Sequence, residues 1–416
     1  MRNRHSRYGL FVILLAAGIF WHRGPARSSS DQLNDFAAPY VGARLLLAGQ
    51  DPYSETRFTS AWVQSGGNTE LLHSASITDT HPAYPLSTYV ALFPLALLNW
   101  QDAVDAFRFL GVAGIALLAL QAMRTIPMTF TDRIIALTCL LLLAPFHSAF
   151  GTGNISLLAV ECCIAAVLCP AEWTRGVLIG FALCLKPQLA IFPICWWIAQ
   201  KNWKVGLSAI GLFTATTGIA MLRLGNLVWY NDFSQNLNLF FSAGSPNDPS
   251  PLNPSRFELL NLQVIGFSVG LNHWWANVVA WSITLALILL IWFRRHREAD
   301  LAGVSAICLS ALLPMYARYY NAGLVFLFVI CLLRQQRRTG ILAAIPFSLP
   351  LGAGMRAIYG LPKHQITAVF IYSAETWALI ILILLLTFQS YRPESPKIQL
   401  SLSDCAPEPR VALVGP

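Results

Sequence analysis

Phe181-Ala182-Leu183-Cys184-Leu185-Lys186-Pro187-Gln188-Leu189-Ala190-Ile191-Phe192 is an apolar run broken in its middle by a lysine, a proline and a glutamine. An ammonium group this close to hydrocarbon costs roughly 2.5 to 3.5 kcal/mol on insertion scales unless it snorkels or is paired. Proline lacks the N–H a helix needs and clashes with the preceding turn, so one helix cannot run through the stretch. The pattern predicts two short membrane spans meeting at a turn, with Lys186 either reaching the headgroups or serving a bound group.

The rest of the chain is of the same kind. Of its 416 residues 56% are hydrophobic and 12% charged, with a mean hydropathy of +0.55, whereas a soluble domain carries about 25% charged residues. Apolar runs of about 20 residues recur, which predicts an all-α, polytopic integral membrane protein. The net charge is +8, but Lys and Arg stand in short loops beside the apolar runs. That distribution orients membrane helices and argues against nucleic acid binding. The nine cysteines form no CxxC, and all but Cys405 lie in or beside apolar runs, as small core residues do. Neither a metal-ligand cluster nor a cofactor motif is visible, and no cofactor is expected.

Basic residues also set the expected topology. Arg2, Arg4 and Arg7 precede the apolar segment Tyr8–Trp21, which is read as an uncleaved first span rather than a signal peptide cut near Gly24-Pro25-Ala26. Arg124/Arg133, Arg175, Lys201/Lys204, Arg294/Arg295/Arg297, Arg334/Arg337/Arg338 and Arg392/Lys397 mark the same cytoplasmic side. Roughly 12 spans (11–13) result, with both termini cytoplasmic. The parity fails if Tyr84–Trp100 crosses fully, and Pro85 and Pro94 point instead to a re-entrant or half-depth helix. Residues 1–392 are expected to form one membrane domain in which 22–83 is an outer loop with short helices, and 393–416 a polar cytoplasmic tail.

On this map four features share the outer face: Asp35, Gly151-Thr152-Gly153-Asn154, Lys186-Pro187-Gln188 and Arg318-Tyr319-Tyr320-Asn321. Asp35 precedes a helix expected over about Phe36–Ala48, and it is either that helix's cap or a reactive acid at the membrane surface. Asn154 could cap a helix beginning at Ile155. Arg318 is either an interfacial anchor or, beside Lys186 and against the positive-inside trend, part of an anion site. Glu161 and Glu375 lie inside apolar runs, where a protonated or hydrogen-bonded acid is expected.

The order of these motifs resembles glycosyltransferase family 87. An Asp-Phe after the first span (Asp35-Phe36) is followed by Tyr40, by Gly49-Gln50-Asp51-Pro52-Tyr53, by Tyr84-Pro85-Leu86, by Gly151-Thr152-Gly153-Asn154 and by Lys186-Pro187 after Gly180-Phe181-Ala182. Three positions depart from the family's usual pattern: Thr152 where Gln is usual, Leu86 where a second Pro is usual, and Asn321 where an Asp is often found. The resemblance implies a multi-spanning enzyme of the C-type fold in the plasma membrane. It implies transfer of a hexose, mannose in the family, from a polyprenyl-phosphate-sugar donor to a glycan or glycolipid acceptor on the outer face. Asp35 would be the general base of an inverting reaction, which a positioned carboxylate typically speeds by about 10² to 10⁴-fold. Lys186 and Arg318 would hold the donor phosphate, and Tyr40, Tyr84, Asn154, Gln188 and Asn321 would contact substrate. The rival reading is a transporter or flippase, because broken helices with intramembrane charges also suit a carrier, although no repeated half is visible.

Overall fold

A computed structural model describes residues 2–28, 34–68, 70, 81–125, 128–294, 301–335, 337–348 and 366–388. The tail 393–416, the outer segment 356–365 and part of the 22–83 loop lie outside the described residues. Every named element is helical, and the described residues contain no strand beyond an isolated bridge between Leu259 and Arg318.

Chain order gives α1 (Arg2–Arg23), then α2 (Asn34–Leu47) and α3 (Glu55–Gln64) packed together at one end of the molecule. Next come α4 (Leu86–Ala91), α5 (Phe93–Ala96), the long α6 (Trp100–Thr125), and α7 (Phe130–Leu142) continued by α8 (Ala144–Thr152). The bundle proceeds through α9 (Ser156–Leu168), α10 (Glu172–Leu185), α11 (Pro187–Ala199) and α12 (Trp203–Leu224). It is completed by α13 (Trp229–Phe240), α14 (Gln263–Ser268), α15 (His273–Arg294), α16 (Leu301–Ser310), α17 (Val325–Arg334), α18 (Ile345–Ser348), α19 (Ile366–Tyr372) and α20 (Ala374–Phe388).

Five described helical stretches are long and apolar enough to cross a membrane, or six if the bent pair α19–α20 is one span. Several other apolar helices are shorter than the expected run: α9, α11, α16, and α17 with its preceding 3₁₀ turn Tyr319–Leu324. Packing explains the division. In α17 every residue from Val325 to Leu333 is buried, and most of α9 and α16 is buried too, so these are core helices apolar on all sides. The long helices α1, α6, α12 and α15 surround them with large exposed apolar faces, which is what lipid contact requires. Neighbours approach closely where glycine allows it: a Cβ on Gly180 of α10 would lie 2.8 Å from Ala209 Cα of α12.

Polar contacts separate two ends of the bundle. At one end Arg338 Nε donates to Asp132 Oδ1 at 2.7 Å, Asp132 closes a capping box with Thr129 at the start of α7, and Lys204 pairs with Glu172 at 3.2 Å. This is the basic end. At the other end lie Asp35, the α8–α9 turn and the α10–α11 break. Segment 84–100 both starts and finishes there. Thr88 Oγ1 donates to Cys184 O near its entry, Leu98 O accepts from Tyr40 and Arg44 near its exit, and the Trp100 N–H reaches Ser65 O. The segment therefore dips and returns, broken between α4 and α5 at Leu92 and Pro94. The long α6 then runs on from Trp100 to Thr125.

At the site end, Asp51 accepts from the Tyr53 N–H at 2.9 Å and neighbours Asp232 in the first turn of α13. Burial raises the Asp51 carboxyl above its ordinary value, the Tyr53 N–H opposes the rise, and Asp232 adds to it. A carboxyl raised in the folded state contributes stability below its ordinary pKa that is lost as pH climbs through the raised value. Asp232→Asn should therefore leave the melting temperature of the detergent-purified protein little changed near about pH 4 and raise it progressively toward about pH 8. Parallel melting curves across that range would dismiss the pairing.

Candidate active site

The site begins with what fixes Asp35. Phe36, fully buried beside it in the first turn of α2, stacks on Trp100 at 5.8 Å and on Phe107 at 4.8 Å between ring centroids. That clamp leaves the half-buried Asp35 at the start of the helix. Opposite it the chain leaves α8 through Gly153, whose φ of +67° is a left-handed cap that glycine adopts without strain. Asn154 follows and is used twice. Its Oδ1 accepts the Ser156 N–H at 2.9 Å at the start of α9, and its Nδ2 donates to Asp35 Oδ2 at 2.9 Å. The capping contact fixes the amide's orientation, so the NH₂ faces the carboxylate.

Cations approach the same acid. Lys186 occupies the break between α10 and α11 with an extended backbone (φ −146°, ψ 83°), and Pro187 starts the next helix where its missing N–H costs nothing. Lys186 is only 7% exposed, so it does not snorkel into solvent. The ammonium lies 4.8 Å above the Tyr84 ring and within electrostatic reach of both Asp35 and Arg318. Arg318 Nη2 donates to Pro246 O at 3.0 Å, its backbone bridges Leu259, and its Nε is buried with no hydrogen-bond partner among the described residues. Tyr320, also in electrostatic reach of Asp35 and Arg318, shares a 3.4 Å contact between hydroxyls with Tyr316.

Two further polar groups stand unanswered nearby in the fold. Asn321 is 0% exposed with both amide atoms unpartnered among the described residues, and the Ser156 hydroxyl is buried and unpartnered as well. A buried polar group left unpaired costs about 1 to 3 kcal/mol, which is tolerated where function uses it. The 3₁₀ turn carrying Asn321 packs on α8 and α9, the helices that flank Asn154, of which α9 begins at Ser156.

The fold thus brings together Asp35, Asn154, Lys186, Tyr84 and Arg318, with Asn321 on an adjoining turn. Gln188 stays half-buried in the first turn of α11. Tyr40 is differently engaged: its ring packs between Phe36 and Trp100, and its hydroxyl donates to Leu98 O at 2.9 Å while accepting from Arg44. Glu161 packs toward Gly114 of α6, with Oε1 unpartnered among the described residues. Ser156, Tyr316 and the platform around Pro246 are additions to the sequence reading, while Tyr320 stands inside its Arg318–Asn321 feature. The Asn, Asp, Pro and Ser cluster at 247–255 was the available signal for that platform: Asp248 takes the Ser250 and Gly244 N–H groups, and Asn253 takes that of Ser255.

Comparison with known proteins matches the glycosyltransferase family 87 model over residues 83–317. The chain belongs to glycosyltransferase family 87. The matched span contains Tyr84, Asn154, Lys186 and Gln188, while Asp35, Tyr40, Arg318 and Asn321 fall outside it. A relative from Mycolicibacterium smegmatis, a polyprenol-phosphate-mannose-dependent alpha-(1-2)-phosphatidylinositol pentamannoside mannosyltransferase, is 26% identical over 151 residues, covering 34% of this chain and 35% of the relative. The chain thus matches about a third of that relative's length. No solved structure matches. With its apolar helices, the chain is a multi-pass membrane member of this family.

The double use of Asn154 can be separated. Asn154→Ser keeps an oxygen able to cap α9 and removes the NH₂ that meets Asp35, so hexosyl transfer should fall about tenfold or more with little loss of thermal stability. Asn154→Ala should lose a further ~1 kcal/mol of stability through the missing cap. Wild-type transfer rates in the Ser variant would reduce Asn154 to a helix cap.

Proposed function

We propose that this enzyme moves a hexose, mannose by analogy with its relative, from a polyprenyl-phosphate-sugar donor to a glycan or glycolipid acceptor at the outer face of the plasma membrane. The observation that carries the reading is the Asp35–Asn154 hydrogen bond set within electrostatic reach of two cations, the buried Lys186 and the half-buried Arg318. An acid beside paired cations suits a displacement that needs a base for the attacking hydroxyl and a counter-charge for a phosphate leaving group.

In the proposed reaction the acceptor oxygen attacks the anomeric carbon from the face opposite the phosphate. Its proton passes to the Asp35 carboxylate, the bond from carbon to phosphate oxygen breaks, and the electron pair leaves on the polyprenyl phosphate with inversion. One phosphate oxygen about 4 Å from one cation is worth about 4 kcal/mol at an effective dielectric of 20, so Lys186 and Arg318 are well matched to that developing charge. Asn154 orients the base, and the Tyr84 ring holds the Lys186 ammonium in place. The unpartnered amide of Asn321 and hydroxyl of Ser156 are suited to sugar hydroxyls, with Gln188 and Tyr40 as further substrate-side residues. The same reading takes residues 1–392 as one domain of about 12 crossings in the C-type architecture, with 393–416 and both termini cytoplasmic.

Radiolabelled mannosyl-phosphate polyprenol, supplied with a membrane glycolipid extract to the purified full chain in proteoliposomes, should yield labelled glycolipid. Asp35→Asn should lower turnover at least about 10²-fold with unchanged expression. Lys186→Gln and Arg318→Gln should each raise donor KM roughly 10- to 100-fold, the loss of about 1.5 to 3 kcal/mol for a charge-assisted hydrogen bond, and change acceptor KM much less. Transport of intact donor without hydrolysis or transfer would favour a carrier, and wild-type donor kinetics in both cation variants would move the phosphate site elsewhere. For orientation, a cysteine at exposed Asn238 should react with an impermeant thiol reagent from outside intact cells, and one at exposed Lys204 should not.

A further inference from the structure

Helix α13 presents three chemically distinct faces. One faces the protein: Trp229 and Phe233 lie 6.0 and 5.0 Å from the Tyr53 ring, Asn236 Nδ2 donates to Tyr53 O at 3.0 Å and Pro82 O at 3.1 Å, and Phe240 meets Tyr316 at 5.2 Å. A second face is exposed and polar, made by Asn231, Gln235 and Asn238. The third is exposed and apolar. Tyr230, Leu237 and Phe241 recur at helical spacing, continue Leu227 just before the helix, and stand open at 60, 37, 50 and 66% exposure respectively.

Several observations commit this third face to lipid. It continues an apolar surface already exposed to the bilayer: α12 ends at Leu224, and its last turns show Ile219 and Leu222 outward, Leu222 at 85%. Beyond α13 the chain enters α15 through exposed Trp274 and Trp275, aromatic residues of the kind that anchor at a membrane interface. The helix carries no Lys or Arg, and its single charge, Asp232, neighbours Asp51, so the exposed stripe offers nothing for an ion-pairing partner. A helix with lipid, water and protein faces, tethered at both ends to spanning helices, lies in the plane of the interface with its apolar side about 5 to 10 Å into the headgroup and acyl boundary.

We infer that α13 lies flat in the bilayer interface on the side of the active site, with Leu227, Tyr230, Leu237 and Phe241 in lipid, and forms the sill over which a lipid-linked substrate reaches Arg318. The sill follows from the far end of the helix: Phe240 and Phe241 both pack on Tyr316, whose hydroxyl meets Tyr320 within electrostatic reach of Arg318. Its second half rests on the donor reading above; the seating of the helix does not.

Spin labels at Leu237 and at Gln235, on the full chain in liposomes, test the seating by power saturation. The Leu237 label should be relaxed mainly by oxygen and the Gln235 label mainly by an aqueous nickel chelate. Equal nickel access at both positions would overturn the seating, as would a Leu237 label shielded from both relaxants, the mark of a second copy or protein partner over the stripe. Leu237→Gln, at an exposed position that folding tolerates, should then raise KM roughly tenfold for a long-chain polyprenyl-phosphate donor and leave KM for a short-chain, water-soluble donor unchanged. Equal effects on the two donors would overturn the sill, while absence of transfer from either donor by the unmodified protein would instead sink the donor reading.

Discussion

A charge cannot rest in hydrocarbon without a partner, and the site end of this protein is organised by that rule. Lys186 is buried at a helix break, and two groups answer its charge, an aromatic face at Tyr84 and a carboxylate at Asp35, while Arg318, a second cation that repels it, is held by the Pro246 platform. Each of these lies on a different element. Anchoring the lysine therefore draws α2, the α4 entry, the α8–α9 turn, the α10–α11 break and the 241–262 segment to one place.

The same rule explains why the helices end where they do. Irregular backbone at membrane depth survives only where neighbouring protein satisfies it. Partners from other elements answer the carbonyls beside the breaks at 185–187 and 311–317: Cys184 O accepts from Thr88, Ala317 O accepts the Leu260 N–H, and Leu313 O accepts the Leu262 N–H. Core helices that stop short of a full crossing deliver their loose ends into the site. The long helices α1, α6, α12 and α15 around them turn large apolar faces outward.

Much of this was legible in the chain because the signals were local. Lys-Pro announced the break, Asp-Phe announced an acid beside an anchoring ring, Gly-x-x-Asn announced a cap, and two prolines announced that Tyr84–Trp100 is broken into short helices. What was not legible was set by contacts between distant residues. The Asn154 amide serves Asp35 across 119 positions of sequence. Tyr40 shares a motif with Asp35, yet Leu98 O, reached only through the folded chain, claims its hydroxyl. The Asp51–Asp232 pair and the three faces of α13 likewise exist only once α13 is laid across Tyr53 and Tyr316. The expectation of uniform spans of about 20 residues missed the core helices for a related reason: a helix enclosed by other helices need not match the bilayer's thickness.

The returning segment at 84–100 also bears on how the chain is made. A polytopic protein is threaded into its membrane in order, and each crossing reverses the side on which everything after it emerges. Ten helical residues, α4 and α5, separated by one kinked position, therefore act as a parity switch for the more than three hundred that follow. Were they to become a full crossing, everything after Trp100, including Asn154, Lys186 and Arg318, would be delivered to the face opposite Asp35, so whether these residues can meet is decided at Pro94, before most of them have been synthesised.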